Sequence, residues 1–385
     1  MIKKGSFKNM KNLNMKNVLT LIKDHQGISR ADIAKKVNLS RAAVTNIVNE
    51  LLELKLVKEV RAGKSSGGRR PILLDLNPDG GYVIGLEWGI SRLKAVLLNL
   101  EADILAEEEI IPIDNSLKEY TKKSFNLIDK FISTIKDEDK ITGIAVGIHG
   151  LVDSQKGVSL FTPHFGWGRV EIEEIIAEKF DYPVFIDNDV RMMAEGEIWQ
   201  GKKDFIFINT GSGVGAALVF NAKLHYGVNN AAGEFGHIKI TDDGPICECG
   251  KKGCLETLIA EERILNKYYN KLNVDIKRSE LSITQLLKDY KKGSIKAVET
   301  IQETSEYFSR GIADLVNLLN PEAVVIGGLF ASYPEIFLDE LKTSVSDKAL
   351  DLAVENLNIT TAHYGEYAGA VGAAEKVLNN FFAVD

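Results

Sequence analysis

"DFIFINTGSGVGAALVFNAKLHYG", residues 204–227, decides how the body of this chain is read. An apolar, strand-forming run reaches a glycine turn, a second apolar run follows, and a polar turn leads into a third. "YVIGLEWGISRLKAVLLNLEADIL", residues 82–105, has the same layout about 120 residues earlier. Each start is followed by alternating strand and helix patterns. A hairpin start used twice predicts two α/β halves of related fold facing each other across a cleft. Ligands of such folds sit at the carboxyl ends of the strands.

The chain before residue 82 follows another pattern. Three helical periodicities fill it, the first with an apolar stripe of Leu13, Val18, Leu21 and Ile22. Ser29 is placed to cap "RADIAKKV" (30–37), with Ile33, Ala34 and Val37 turned inward. Ser40 is placed to cap "RAAVTNIVNELLEL" (41–54), whose inward face is Val44, Ile47, Val48, Leu51 and Leu52. Its other face carries Arg41, Ala42, Thr45, Asn46 and Asn49, which hold no core together. That is a helix-turn-helix, whose second helix sets its N-terminal residues against base edges. "LVKEVRAG" and "RRPILLDL" read as two strands around "KSSGG", a wing bringing Lys64, Arg69 and Arg70 to phosphates or the minor groove. A small protein-interaction module is the competing reading. "LNPDGG" (76–81) is the natural boundary to the body.

Charge divides at the same place. Residues 1–80 carry 16 Lys+Arg against 7 Asp+Glu, and the rest 31 against 47, within a net charge of −7. A basic head on an acidic body predicts that only the head meets a polyanion. The 385 residues, 45% hydrophobic and 26% charged, suit a soluble protein of two or three domains. No apolar run approaches the ~20 residues that span a bilayer. The basic N-terminus lacks the apolar stretch of a secretory signal, so a cytoplasmic location is expected. All three cysteines lie in "CECGKKGC" (247–254), one short of a four-ligand site. In a reducing compartment that cluster favours metal over disulfide.

Three further stretches carry candidate chemistry. "TGSGVG" offers Thr210, Gly211, Gly213 and Gly215 to a phosphate, or is simply a tight hairpin turn. "PVFIDNDVRMMAEGE" ends a buried strand, Val184 to Ile186, in Asp187-Asn188-Asp189, straight before a helix. Asp189 there suits a general base or a sugar-hydroxyl acceptor, with a helix cap as the competing reading. "AAGEFGHIKI" puts Glu234 and His237 in a loop entering a strand, and "GCLE" adds Glu256.

Taken together, "NTGSGVG", "GEFGHI", "CECGKKGCLE" and "NPEAVVIGG" resemble the ROK family of bacterial sugar kinases and sugar-responsive repressors, over essentially the whole chain. The resemblance implies an α/β protein: an N-terminal winged helix-turn-helix followed by two actin/hexokinase-like, ribonuclease H-type lobes. The head would be 1–78, the first lobe 82–195 plus 366–385, and the second lobe 196–365. "YAGAVGAAEKVLNNFF" would be a helix returning to the first lobe. It further implies that Asn188, Asp189, Glu234, His237 and Glu256 hold sugar hydroxyls. His237 would join Cys247, Cys249 and Cys254 in a closed, structural Cys₃His zinc site.

Only the repressor branch of the family carries such a head, and "FTPHFGWGRVEI" is most similar to its xylose repressors. Family kinases have Asp-x-Gly-Gly-Thr in the first glycine turn, where this chain has Glu87-Trp88-Gly89-Ile90-Ser91. Glu87, Gly89 and Ser91, with Thr210, Gly211, Gly213 and Gly215, are then vestigial phosphate loops. A second departure, "GIHGLVD", places His149 where the family usually has Pro. The expected function is a repressor without catalysis. It would bind a palindromic double-stranded DNA operator as a homodimer or dimer of dimers and sense a monosaccharide, xylose or a related aldose. The alternative is an ATP- and Mg-dependent sugar kinase of glucose or N-acetylglucosamine type with a DNA-binding head, with Asp189 as its base.

Overall fold

The computed structural model describes residues 13–62, 71–274 and 282–383. Lys64, Arg69 and Arg70, expected at the wing tip, lie outside them. The head runs α1 (Leu13–Asp24), β1 (Ile28–Ser29), α2 (Arg30–Lys36), α3 (Arg41–Glu53), β2 (Val57–Ala62) and β3 (Ile72–Leu76), with an antiparallel sheet ordered β1-β3-β2. Ser29 caps α2, accepting from Asp32 N at 3.2 Å and donating to Asp32 Oδ2 at 2.6 Å. Ser40 caps α3 by accepting from Ala43 N at 3.2 Å. The stripe on α1 differs from the sequence expectation. Met15, Val18, Leu19 and Ile22 are buried, whereas Leu13 is 50% exposed and Leu21 only half-buried. An i, i+3, i+4, i+7 set lies on one face at 3.6 residues per turn, and Leu13 and Leu21 fall off that face. β1 has no signature in the sequence, because two residues are too few to show alternation.

The body forms two sheets of one design. The first comprises β4 (Tyr82–Trp88), β5 (Leu93–Asn99), β6 (Ile104–Ile110), β7 (Ile141–Ile148) and β10 (Val184–Asn188), ordered β10-β7-β4-β5-β6. Between them come α4 (Leu117–Thr134), the hairpin β8 (Leu151–Asp153) and β9 (Val158–Phe161), and α5 (Ile172–Ala177); α6 (Asp189–Trp199) follows β10. The second comprises β11 (Phe205–Thr210), β12 (Val214–Phe220), β13 (Lys223–His225), β14 (Ala323–Gly328) and β15 (Asn358–Thr361), ordered β13-β12-β11-β14-β15. Its helices are α7 (Glu256–Ile259), α8 (Glu261–Leu272), α9 (Ile283–Lys291), α10 (Ile295–Leu319), α11 (Leu329–Ser332), α12 (Pro334–Ser346) and α13 (Asp351–Val354). In each sheet an antiparallel three-stranded meander is extended by two parallel strands. This repeated order is the ribonuclease H-type lobe that the resemblance implied. The quoted repeat is therefore real: both stretches are the meander.

The chain divides into two compact units, one up to Trp199 together with the stretch from Gly369, the other Gln200–Ala368. The last helix, α14 (Ala368–Phe382), packs on α6 in the first unit. A Cβ at Gly372 would lie 1.9 Å from Met192 O, so only glycine allows that approach. Glu195 fixes the same pair of helices, accepting from Lys376 at 2.7 Å and Asn379 at 2.8 Å. The 76–81 segment is bonded on both sides within this unit. Asn77 Nδ2 donates to Lys55 O at 2.6 Å, and Leu100 N donates to Pro78 O at 3.1 Å. Head and first lobe are thus joined by a fixed turn rather than a tether. No helix of the described residues is long and apolar enough to cross a membrane.

Candidate functional site

In the first unit, parallel pairing of β10 with β7 brings Asn188 level with Ile148, one residue before His149. Asn188 caps α6: its Oδ1 accepts from Val190 N at 3.0 Å and Arg191 N at 3.2 Å. Its Nδ2 donates to Gly150 O at 3.0 Å and Asp189 Oδ1 at 2.9 Å. The amide is thereby fully engaged in holding Asp189, which is buried at the helix start. Asp189 Oδ2 lies 3.4 Å from His149 Nδ1, and His149 Nε2 lies 3.1 Å from His164 Nδ1. Burial alone would push the Asp189 carboxyl up. The hydrogen bond and charge of His149 and the Val190 amide outweigh it and hold the carboxyl below its ordinary value. Such a group accepts hydrogen bonds well and abstracts protons poorly.

Glu87, at the end of β4, is the other carboxyl of this unit that faces the kinase question. Its Oε2 is buried with no hydrogen-bond partner. Burial pushes its pKa up to about 7; Lys94 opposes the rise and the charge of Asp189 adds to it. A carboxyl that keeps its proton near neutrality is a poor ligand for Mg²⁺. The following turn is also closed on itself: Gly89 N donates to Arg92 O at 3.0 Å, and Gly89 O accepts from Tyr120 at 2.8 Å. Ser91 is exposed.

In the second unit, "TGSGVG" is the hairpin turn between β11 and β12. The buried Thr210 hydroxyl donates to Gly327 O at 3.0 Å and accepts from Phe330 N at 3.1 Å, so it ties β11 to β14 and α11. Gly211 N donates to Gly213 O at 3.0 Å, and Gly215 pairs with Asn209 in the ladder. The turn's next amide, Val214 N, donates to Glu256 Oε2 at 3.2 Å. The structure therefore brings Glu256 to the glycine turn.

The cysteines find their fourth partner in the same unit. His237 closes a 3₁₀ turn (Phe235–His237), with Nδ1 3.4 Å from Cys247 Sγ and Nε2 3.7 Å from Glu234 Oε2. Cys249 and Cys254 have their sulfurs 3.7 Å apart, and all four ligand atoms lie within 4.8 Å of one another. The expected strand after His237 is a single bridge, Lys239 to Cys254, because the segment pairs with the cysteine loop only locally. Leu255 N donates to Ile238 O at 2.9 Å, and Ile240 N to Gly253 O at 2.8 Å, which carries the histidine alongside the thiols. Four tetrahedral ligands around a cation at ~2.3 Å from sulfur have sulfurs about 3.8 Å apart, so the set fits a metal such as zinc. The four residues could hold such an ion with no position left open. Burial pushes the Cys247 thiol up, so metal binding would displace its proton.

On the head, Ser40, Arg41, Ala42, Thr45, Asn46 and Asn49 are all exposed on one face of α3, opposite buried Val44, Val48 and Leu51. Arg30 on α2 pairs with Glu59 on β2 at 2.9 Å, fixing the base of the wing to the helix-turn-helix. Two features escaped the sequence reading. His164 reaches His149 only because the β8–β9 hairpin folds back, and fifteen residues of separation carry no periodic signal. Likewise Lys23 of α1 lies over Trp199 at the end of α6, and Thr20 donates to Phe382 O at 2.7 Å.

The comparisons with known proteins agree with this architecture. The ROK family profile matches residues 83–379, and a winged helix-turn-helix DNA-binding profile matches 11–58. A xylose repressor of Caldicellulosiruptor bescii is 32% identical, with 98% of each chain covered. The DNA-binding transcriptional dual regulator NagC of Escherichia coli K12 is 30% identical over 96% of this chain and 93% of its own. The crystal structure of a ROK family transcriptional regulator, a homologue of the E. coli MLC protein, superposes with a TM-score of 0.84 at 26% identity, covering 96% of both chains. With its winged helix-turn-helix head and its paired ribonuclease H-type sheets, the chain belongs to the ROK family.

Proposed function

We propose that the protein is a sugar-responsive transcriptional repressor that binds a palindromic operator as a homodimer. Its effector is a monosaccharide, xylose or a related aldose, held by Asp189, Glu234, His237 and Glu256, with Asn188 orienting Asp189. The observation that carries the reading is that one helix joins the two functions. Asp189 opens α6 and Trp199, beneath Lys23 of the head, closes it. Eleven residues of helix span about 16 Å as a stiff rod, so a shift at Asp189 reaches α1 without a flexible intermediary. Sugar binding then alters the placement of the head, and operator affinity falls by the difference in sugar affinity between the two states.

The metal is a structural zinc that braces Glu234 and Glu256 through the residues flanking its ligands. Catalysis has no support in the first glycine turn: Glu87 is proton-holding and turned inward, and the Gly89 amide is already bonded. Repressor names among the relatives support the same side. Operator binding followed by fluorescence anisotropy across a sugar panel, with ADP release measured in parallel, tests the proposal. Operator affinity should fall at least about tenfold with one aldose, without ADP release. Sugar-dependent ADP release at ordinary enzyme rates, about 10 s⁻¹, abolished by Asp189→Asn, would overturn it.

A further inference from the structure

The outer side of α4 carries an apolar groove that the function above does not use. The helix starts at Ser116, whose hydroxyl accepts from Glu119 N at 3.2 Å. Its inner face is fixed. Tyr120 donates to Gly89 O at 2.8 Å, Ser124 accepts from Trp88 Nε1 at 2.8 Å, and Leu127, Ile128 and Phe131 are buried. One row over, Leu117, Thr121 and Phe125 follow at i, i+4 and i+8, a stripe about 12 Å long that stays only partly buried. Ile175 of α5 lines the groove with them, and its volume is about 450 Å³. A mostly apolar lining of that size, on a helix already held in place, has the character of a preformed small-molecule site. Phe125 packs edge-on against Phe180 with ring centres 5.5 Å apart, and the Lys179 ammonium lies 4.8 Å from each ring.

The rim of the groove is positive. Lys118 and Lys122, one turn apart beside the stripe, are exposed and make no ion pair among the described residues. Nearby lysines are neutralised: Lys123 pairs with Glu119 at 3.7 Å, Lys179 with Asp129 at 2.5 Å, and Lys130 with Glu108. Like charges at i and i+4 repel, and an anion between them cancels that cost. Thr121 stands between the two lysines in sequence. Its Oγ1 is buried without a hydrogen-bond partner, although a threonine inside a helix can bond the carbonyl four residues back.

We propose that this groove binds a small anionic amphiphile, an acyl chain or aryl ring with one carboxylate or phosphate head. The apolar body lies along Leu117, Phe125 and Ile175 and leaves water. The head accepts from the Lys118 and Lys122 ammonium groups and from the Thr121 hydroxyl. An uncharged apolar ligand leaves the two ammonium groups uncompensated, and a small hydrophilic anion leaves the stripe wet. None of these residues belongs to the proposed sugar or metal sets, so the site is additional to both and independent of the repressor reading.

Isothermal titration of the full-length protein with octanoate, octyl phosphate, octanol and inorganic phosphate tests this. Octanoate or octyl phosphate should bind once per chain with a Kd below about 1 mM, at least about tenfold tighter than octanol or inorganic phosphate. The tighter of the two amphiphiles identifies the head. Lys118→Glu combined with Lys122→Glu should weaken the anion at least about tenfold, with an unchanged ligand-free melt because both side chains are exposed. Thr121→Val should weaken the anion about threefold and raise the ligand-free melting temperature, since it removes a buried hydroxyl that has no partner. No saturable binding of either amphiphile up to about 10 mM overturns the proposal. So does octanol binding as tightly as the anions, or an anion affinity that the double lysine variant leaves unchanged.

Discussion

The Lys23 ammonium lies 3.8 Å from the centre of the Trp199 ring, so the head's first helix is clasped to the far end of the helix that Asp189 begins. Burial pushes Lys23 below its ordinary pKa, as expected of a cation docked on aromatic surface rather than in water. Phe382 closes the other side of the clasp, through its ring and through its carbonyl, which accepts from Thr20. A cation–π contact of this kind is worth about 0.5–2 kcal/mol. Lys23→Ala should therefore leave sugar-free operator affinity within about threefold and reduce the sugar response by roughly 2- to 30-fold. Anisotropy titrations with and without sugar measure both. An unchanged response would remove α6 as the route.

Gly372→Ala should destabilise the first unit by about 1–3 kcal/mol, because the new methyl group meets Met192 O at the α6–α14 crossing. The thermal transition of the first unit should move down and that of the second should stay. Loss of sugar response at temperatures where the variant is folded would show that this crossing also transmits.

Metal analysis of the purified protein should find one zinc per chain, and Cys249→Ser should lose it. Chelation should lower the melting temperature of the second unit and abolish the sugar response. The head, whose core of Met15, Val18, Val44 and Val48 lies in the first unit, should retain operator binding. Purified protein without zinc would refute the brace.

Glu87 predicts a pH dependence with a definite sign. Its carboxyl titrates near 4.5 when unfolded and about 7 when folded. Between those values the folded state keeps a proton that the unfolded state has lost, so stability falls as pH rises from about 4.5 to about 7 and then levels. The loss is on the order of 1–3 kcal/mol. Urea denaturation from pH 4 to 8 should show this slope, and Glu87→Gln should flatten it.

On α3, Arg41→Ala should weaken operator binding and reduce its salt dependence by about one counterion, if Arg41 meets a phosphate. Asn46→Ala should cost about 1–3 kcal/mol at one base position and leave the salt slope unchanged. Operator binding untouched by both changes would turn attention from DNA to a protein partner of the head.

Much of the fold was legible because it rests on local periodicity. The two meanders repeat one pattern of alternation and glycine turns, and the caps Ser29 and Ser40 bond within three residues of themselves. Even there, the stripe on α1 was misplaced by residues just off the buried face, since Leu13 and Leu21 are as apolar as Met15 and Leu19. The candidate site was less legible. Thr210 has the composition of a phosphate loop, yet its hydroxyl is engaged by Gly327 O and Phe330 N, more than a hundred residues downstream. Glu256 follows the cysteines in sequence, yet it bonds the amide of Val214 across 42 residues.

The sequence by itself determined the winged head, the doubled α/β body and the kinship that places a histidine with three cysteines. Spacing, charge and hydropathy are properties of neighbouring residues, and they survive without any knowledge of packing. Only the tertiary structure decided what the polar groups do. It joined Asp189 to His149 and His164, turned Glu87 inward with its Oε2 unpartnered, and clasped Lys23 over Trp199. Each of those relations depends on which distant backbone approaches within hydrogen-bond or ring-contact distance, and on how much water that approach excludes.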